Sequence, residues 1–196
     1  MYSQSDEEIH TNGLLPDKGR FLDIGAFDAL TFSNTRKLHE RGWTGVLLEP
    51  SPLAFAGAQR NTEGMEGITL IQKAIAEHSG EVEFYESGGD AISTTYVPHK
   101  EKWEEGYPNC KFTKITVKTI SFNALFDEVG ADFDMVNIDT ESTNWEVLST
   151  FPFARCLPKV MCIEFDDKKG QMEAMLAKHG YKTVYTSGEN IVVYRA

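Results

Sequence analysis

Residues 20–50, RFLDIGAFDALTFSNTRKLHERGWTGVLLEP, decide the fold. Phe21, Leu22 and Ile24 form a short apolar run suited to a buried parallel strand. It stops at Gly25, where the missing side chain lets the backbone turn tightly and lets a ligand approach the main chain. Ser33 or Thr31 is placed to cap the helix that follows. Its apolar Leu38 and Trp43 and its polar Arg36, Lys37, Glu40 and Arg41 fall on two faces before Gly42 ends it. Residues 44–48 read as a second strand, closed by Glu49 and Pro50. Strand, loop, helix, strand is the first half of a doubly wound, nucleotide-binding α/β fold.

In that fold an acidic residue ending the second strand accepts hydrogen bonds from ribose hydroxyls, about 20 positions after the first glycine. Glu49 lies 24 positions after Gly25. A dinucleotide site also needs a second glycine, so that a pyrophosphate can sit on the backbone at the helix N-terminus, and a third for helix-on-strand packing. Phe27 and Ala29 stand in those places. A bulky Phe27 argues against a pyrophosphate and leaves room for a ribonucleoside without phosphates, its cationic amino-acid end near Asp23. S-adenosylmethionine meets that description. A lone glycine ends buried strands in many α/β proteins; the combination of Asp23, Gly25 and Glu49 at this spacing is what points to the cofactor.

The chain resembles the FkbM-type S-adenosylmethionine-dependent O-methyltransferases. The resemblance rests on Asp23-Ile24-Gly25-Ala26, Thr31-Phe32-Ser33-Asn34-Thr35, Gly42-Trp43-Thr44-Gly45 and Glu49-Pro50-Ser51-Pro52. It continues through Ile138-Asp139-Thr140-Glu141 with Glu146-Val147-Leu148, then Ile163-Glu164 and residues 190–195, and so covers nearly everything after residue 20. It departs where the family often has glycine, at Ala29 and at Ser142. The resemblance implies class I methyltransferase topology, a Rossmann-like, mostly parallel sheet finishing in an antiparallel hairpin. It also implies that Asp23, Gly25, Ala26, Phe27, Ser33, Asn34, Glu49, Pro50, Ser51 and Asp139 hold the cofactor, and that the methyl acceptor is a hydroxyl of a sugar or glycosylated metabolite.

With 196 residues the chain suits one domain, spanning 1–196, and 41% hydrophobic residues is ordinary for a globular protein. A formal charge of −11 disfavours a nucleic-acid backbone or an anionic membrane as partner, leaving a small molecule as the better expectation. Cys110, Cys156 and Cys162 are odd in number and lack metal spacing, which fits a reducing compartment. The opening MYSQSDEEIH is too polar and acidic for a signal peptide, and no apolar run is long enough to cross a membrane, so the expected location is the cytoplasm.

Residues 1–19 read as an N-terminal arm or a frayed helix. Residues 52–61 form a second crossover helix with Pro52 in its first turn. Residues 68–76 read as a third strand, whose end at Lys73-Ala74-Ile75 would present the small Ala74 to an adenine ring. Residues 81–86 and 111–121 alternate with period two and are expected to pair antiparallel. Between them, residues 88–109 carry glycines, two prolines and the aromatics Tyr96, Trp103 and Tyr107. This segment reads as a lid or substrate loop, and its His99 as a solvated histidine. Ser121 caps a helix to about Val129, residues 133–138 make a fourth strand, and Asn144 is placed to cap the next helix. A fifth strand at 159–165, a helix at 170–179 and a hairpin of 182–186 with 191–194 close the chain.

Asp139, Glu141, Glu164 and Asp166 follow two of these strands, where the fold would gather them beside a reacting group. Asp139 is expected at the cofactor or acceptor, with Glu141 and Glu164 as base candidates. Magnesium held by two or three of these carboxylates is the minority alternative. Two other functions are compatible with the pattern: a nicotinamide-dependent oxidoreductase, and a nucleoside-binding module without chemistry.

Overall fold

The computed structural model describes residues 1–196. The chain runs α1 (Glu7–Leu14), β1 (Arg20–Ile24), α2 (Arg36–Glu40), β2 (Thr44–Leu48), α3 (Pro52–Asn61), β3 (Ile68–Ile71), β4 (Ala74–Ile75), β5 (Gly80–Glu86) and α4 (Val97–Gly106). It continues β6 (Thr113–Ile120), α5 (Phe122–Val129), β7 (Met135–Ile138), α6 (Asn144–Ser149), β8 (Val160–Glu164), α7 (Lys169–Ala177), β9 (Lys182–Thr186) and β10 (Asn190–Tyr194). Seven strands form one sheet in the order β3-β2-β1-β7-β8-β10-β9. Its pairings are parallel except those of β10, which runs antiparallel to both β8 and β9. This is the doubly wound α/β sheet with a C-terminal antiparallel hairpin expected from the sequence.

Both faces of the sheet are covered, which is why β1, β7 and β8 are apolar over most of their length, the buried polar residues Asp23 and Asn137 pairing with one another. Leu22, Ile24, Val136, Ile138, Met161 and Ile163 pack on one side against Phe122, Phe126 and Phe151. Phe21, Leu47, Met135, Val160 and Cys162 pack on the other against Leu38, Trp43 and Ala58. Gly45 is required here, because a Cβ would sit 2.2 Å from the Phe21 ring laid across it. Ser51 and Ser121 cap α3 and α5 through Ala54 N and Ala124 N, each bond worth about 1 kcal/mol. No helix is long and apolar enough to cross a membrane.

Several expectations need correction. The run 68–76 is not one strand. β3 ends at Ile71, and Ala74–Ile75 leaves to pair parallel with β6, because Ile75 buries itself beside Ile120 in the main core. β5 and β6 are antiparallel as expected, but with β4 they form a separate three-stranded sheet. Residues 88–109 are not all loop, since α4 occupies their middle with a proline in its first turn. Residues 1–19 hold α1, which packs on β8 and β10, and Ser3 bridges to Phe32. The N-cap of α6 is Thr143 rather than Asn144, whose side chain instead accepts from Thr140 N at 2.7 Å. Thr31 does not cap α2, being held by Asp28, whereas Ser33 Oγ accepts from Arg36 N at 3.0 Å.

Candidate active site

The strand order reverses between β1 and β7, so the connections leaving their paired C-terminal ends part to opposite sides of the sheet and open a crevice, the place where open α/β sheets bind ligands. A cavity of about 420 Å³ fills it, within the ~300–1,000 Å³ span of small-molecule sites. Gly25, Ala26 and Phe27 line it from the first loop, Glu49 and Pro50 from the end of β2, and Ala74 from β4. Glu49 is 6% exposed, and its two carboxylate oxygens accept from Phe27 N at 2.9 Å and Ser51 N at 2.7 Å. Those bonds fix the carboxylate while leaving each oxygen a second lone pair. Burial nevertheless pushes Glu49 up to about 8, against the pull of the two N–H groups. Ser51 does not line the cavity. It stands behind the wall, donating to Glu86 at 2.6 Å.

The loop itself is strained. Phe27 and Ala29 hold φ of 48° and 59°, and in the second loop Glu141 and Ser142 hold 54° and 73°. Such left-handed conformations cost a non-glycine residue about 1–2 kcal/mol each, and they collect at functional sites. The two positions at which the sequence departs from glycine, Ala29 and Ser142, are therefore positions where glycine would relieve strain.

Asp23, expected near the cofactor's cationic end, lines the cavity with both oxygens engaged. Its oxygens accept from Thr35 Oγ1 at 2.5 Å and Asn137 Nδ2 at 2.9 Å. Asn34 Nδ2 in turn donates to Asn137 Oδ1 at 3.0 Å, which leaves Asn34 Oδ1 buried without a partner. Burial raises Asp23 above the usual carboxylate range despite its two donors. Ser33 and Asn34 both face the cavity beside this network. A buried carbonyl oxygen with a spare lone pair, backed by a carboxylate, suits an ammonium group.

Asp139, Glu141, Glu164 and Asp166 come together at the far wall. Asn144 Nδ2 ties two of them, donating to Glu164 Oε2 at 2.6 Å and Asp166 Oδ2 at 3.1 Å. Asp139 and Glu164 end the adjacent strands β7 and β8 and are raised together. Burial, then the Glu141 charge, pushes Asp139 up to about 8. Burial, then Asp139 and Asp166, pushes Glu164 up to about 9. Glu141 is raised well above its usual range by burial and by Glu164, and Asp166 is raised by burial.

These shifts fix the sign of a pH effect. A carboxyl whose folded pKa exceeds its unfolded value stabilises the fold fully below the unfolded value and loses that contribution as pH rises through the folded value. For Asp139 and Glu164 the window runs from their ordinary values of 3.8 and 4.5 to about 8 and 9. The ligand-free protein is expected to lose stability between pH 5.5 and pH 8, by roughly 1.4 kcal/mol per pH unit for each proton retained. Urea midpoints across that range check it. A midpoint that rises with pH contradicts the protonated pair.

Three parts of the wall were not legible in the sequence. His99, read as solvated, is 8% exposed, because α4 carries it inward. Its Nδ1 lies 2.8 Å from Ser142 Oγ, while Nε2 makes no hydrogen bond and stands 3.5 Å from Glu141 Oε2. Burial and the Lys102 charge hold its pKa below the usual histidine value. Gln4 reaches the cavity from the N-terminal segment. Asn190, opposite Glu164 in the β10–β8 pairing, is among the lining residues, and its buried Oδ1 has no hydrogen-bond partner. Of the aromatics in the 88–109 segment, Trp103 faces the cavity, whereas Tyr96 and Tyr107 are largely exposed.

No family model matches the chain, and no curated protein sequence does. Solved structures do. Methyltransferase FkbM from Methylobacillus flagellatus superposes with a TM-score of 0.61 at 11% identity, over 98% of this chain and 48% of that one. Precorrin-6y C5,15-methyltransferase from Geobacter metallireducens gives 0.54 at 14% identity, over 97% and 87%. Ribosomal protein L11 methylase from Lactobacillus delbrueckii subsp. bulgaricus gives 0.52 at 10% identity, over 96% and 76%. At such identities the likeness establishes a shared Rossmann-like methyltransferase fold. The chain spans about half the length of the FkbM structure.

Proposed function

We propose that the protein is an S-adenosylmethionine-dependent O-methyltransferase of the FkbM type, acting on a hydroxyl of a small, sugar-like molecule. The observation that carries the reading is a heavily acidic cavity under a loop closed to phosphate. Lys73 and Lys102 are the only lysines or arginines lining it, and Phe27 stands where a pyrophosphate would need a glycine. A nicotinamide dinucleotide brings a pyrophosphate and a net negative charge to that wall, whereas a sulfonium cofactor brings a net positive one. The chain's other donors and acceptors suit the same ligand. Glu49 has the free lone pairs for two ribose hydroxyls, Asn34 Oδ1 and Asp23 suit an ammonium group, and the small Ala74 leaves room for a flat base.

When bound, the cofactor supplies an electrophilic methyl group on a positively charged sulfur. Transfer would join the acceptor oxygen to that carbon as the carbon–sulfur bond broke, leaving the bonding pair on sulfur. The hydroxyl proton needs a destination. Asp139, Glu141 and Glu164 are the candidates, since a positive charge beside them lowers their pKa and frees a carboxylate close to neutral pH. Trp103 offers an apolar face for a sugar ring.

Glu49→Ala is the direct test of the cofactor end. Removing a charge-assisted hydrogen-bonding group costs about 1.5–3 kcal/mol, or roughly 10–150-fold in affinity. Calorimetry with S-adenosylhomocysteine is expected to register that loss with the fold intact by circular dichroism. Unchanged affinity would remove Glu49 from the ribose site.

A further inference from the structure

The two ends of the cavity differ in how their charges are satisfied. At the cofactor end Asp23 and Glu49 each hold two donors. At the far wall Glu164 and Asp166 share the single amide of Asn144. Glu141 has only His99 Nε2 at 3.5 Å, outside hydrogen-bonding geometry, and Glu189 adds a further carboxylate to the lining. No lysine or arginine makes an ion pair with any of the four. A buried group of carboxylates without a counter-cation is costly, because each charge must be desolvated with nothing to offset it.

Two further atoms point the same way, independently of the acids. Asn190 Oδ1 is buried and unpartnered on a residue 4% exposed, directly across the β10–β8 ladder from Glu164. Directly opposed residues of an antiparallel pair project to the same face, so this oxygen and the Glu164 carboxyl share a wall. His99 Nε2 is also buried and unpartnered, beside Glu141. Thr94 Oγ1 donates to the Glu141 carbonyl at 2.6 Å and His99 contacts Ser142, so the α4 segment closes over this wall. The wall is rich in carboxyl oxygens and holds one amide donor for them, Asn144 Nδ2, with no lysine or arginine paired to them. Its complement is a group that brings several N–H donors and a positive charge.

We infer that the far wall binds the ammonium group of a hydroxylated primary amine, so that the methyl acceptor is an amino-sugar-like polyol rather than a neutral sugar. The inference rests on the methyl-donor reading above and adds the chemical class of the second substrate. Held as an ammonium, the nitrogen has no lone pair and is not the methylated atom. It anchors the molecule while a neighbouring hydroxyl is presented to the donor. Binding a cation also displaces protons from the raised carboxyls, so proton release accompanies it.

The test uses the full chain saturated with S-adenosylhomocysteine and three matched probes, glucosamine, glucose and N-acetylglucosamine, titrated calorimetrically at pH 7. Glucosamine is expected to bind at least about tenfold tighter than either neutral sugar, with heats that vary with the buffer's ionisation enthalpy because protons are released. Glu164→Gln, which mimics the protonated carboxyl and so keeps the fold, is expected to shrink that preference severalfold. Glucosamine binding no tighter than glucose to the saturated protein overturns the inference and leaves the donor reading standing. Failure of S-adenosylhomocysteine to bind at all overturns the donor reading, and this inference with it.

Discussion

Replacing Asp139 by asparagine is expected to leave the protein folded and to cut methyl transfer by roughly 10²–10⁴-fold, the span for a group that moves a proton in the transition state. The fold should survive for a specific reason. With its pKa at about 8, Asp139 is already largely protonated in the ligand-free protein at neutral pH, and an amide copies a protonated carboxyl in shape and hydrogen bonding. What asparagine cannot do is ionise when a positive sulfur arrives beside it. Release of S-adenosylhomocysteine measures turnover, and thermal melting at pH 7 measures the fold. Turnover that persists in this variant, and also in Glu141→Gln and Glu164→Gln, would take the whole cluster out of the proton path.

Gly25→Ala is expected to fail at an earlier level, destabilising the protein by at least about 3 kcal/mol and lowering its melting temperature by roughly 10 °C. A Cβ at Gly25 would lie 1.6 Å from the carbonyl oxygen of Asp139, and the residue holds φ of +82°. The neighbour is backbone, so no rotamer change relieves the clash. Asp139 N already donates to Ile24 O at 2.9 Å, and Gly25 N to Leu48 O at 3.0 Å. The ends of β1, β2 and β7 are thus pinned together, and only their separation would make room for the methyl group. That separation would also move Asp139. Survival of near-wild-type stability in Gly25→Ala would mean that the strand ends do not meet as described.

The half of the fold written in local signals was legible. Gly25 at the end of an apolar run, Ser51 before Pro52 and Ser121 before Phe122 each mark a boundary by chemistry that acts within a few residues. The hairpin of β9 and β10 announced itself through Ser187-Gly188-Glu189-Asn190 in the same way. What escaped depends on contacts between distant residues. Nothing near Ile75 says that it will leave β3 for Ile120. Helix α4 has charged residues around most of its surface, so its inward face is evident only once His99 meets Ser142. Helix α1 buries Glu7 and Glu8 instead of an apolar stripe, Glu7 accepting from Asn190 across 183 residues of sequence.

The candidate site divided along the same line. Gly25, Glu49 and the carboxylates after β7 and β8 were legible because strand ends converge in any sheet of this order. Asp23 was placed correctly at the end of β1, but its partners Thr35 and Asn137, which occupy both its oxygens, could not be read from spacing. Asn34 and Asn190 matter for the oxygens they leave unpaired, a property of the assembled cavity alone.

The central claim, that this cavity takes a sulfonium nucleoside rather than a dinucleotide, is tested most directly by calorimetric titration of the purified chain with S-adenosylmethionine, S-adenosylhomocysteine, NAD and NADP in one buffer at moderate salt. Saturable binding of the first two is expected, at least about 100-fold tighter than that of either dinucleotide. Tighter binding of NAD or NADP would contradict it.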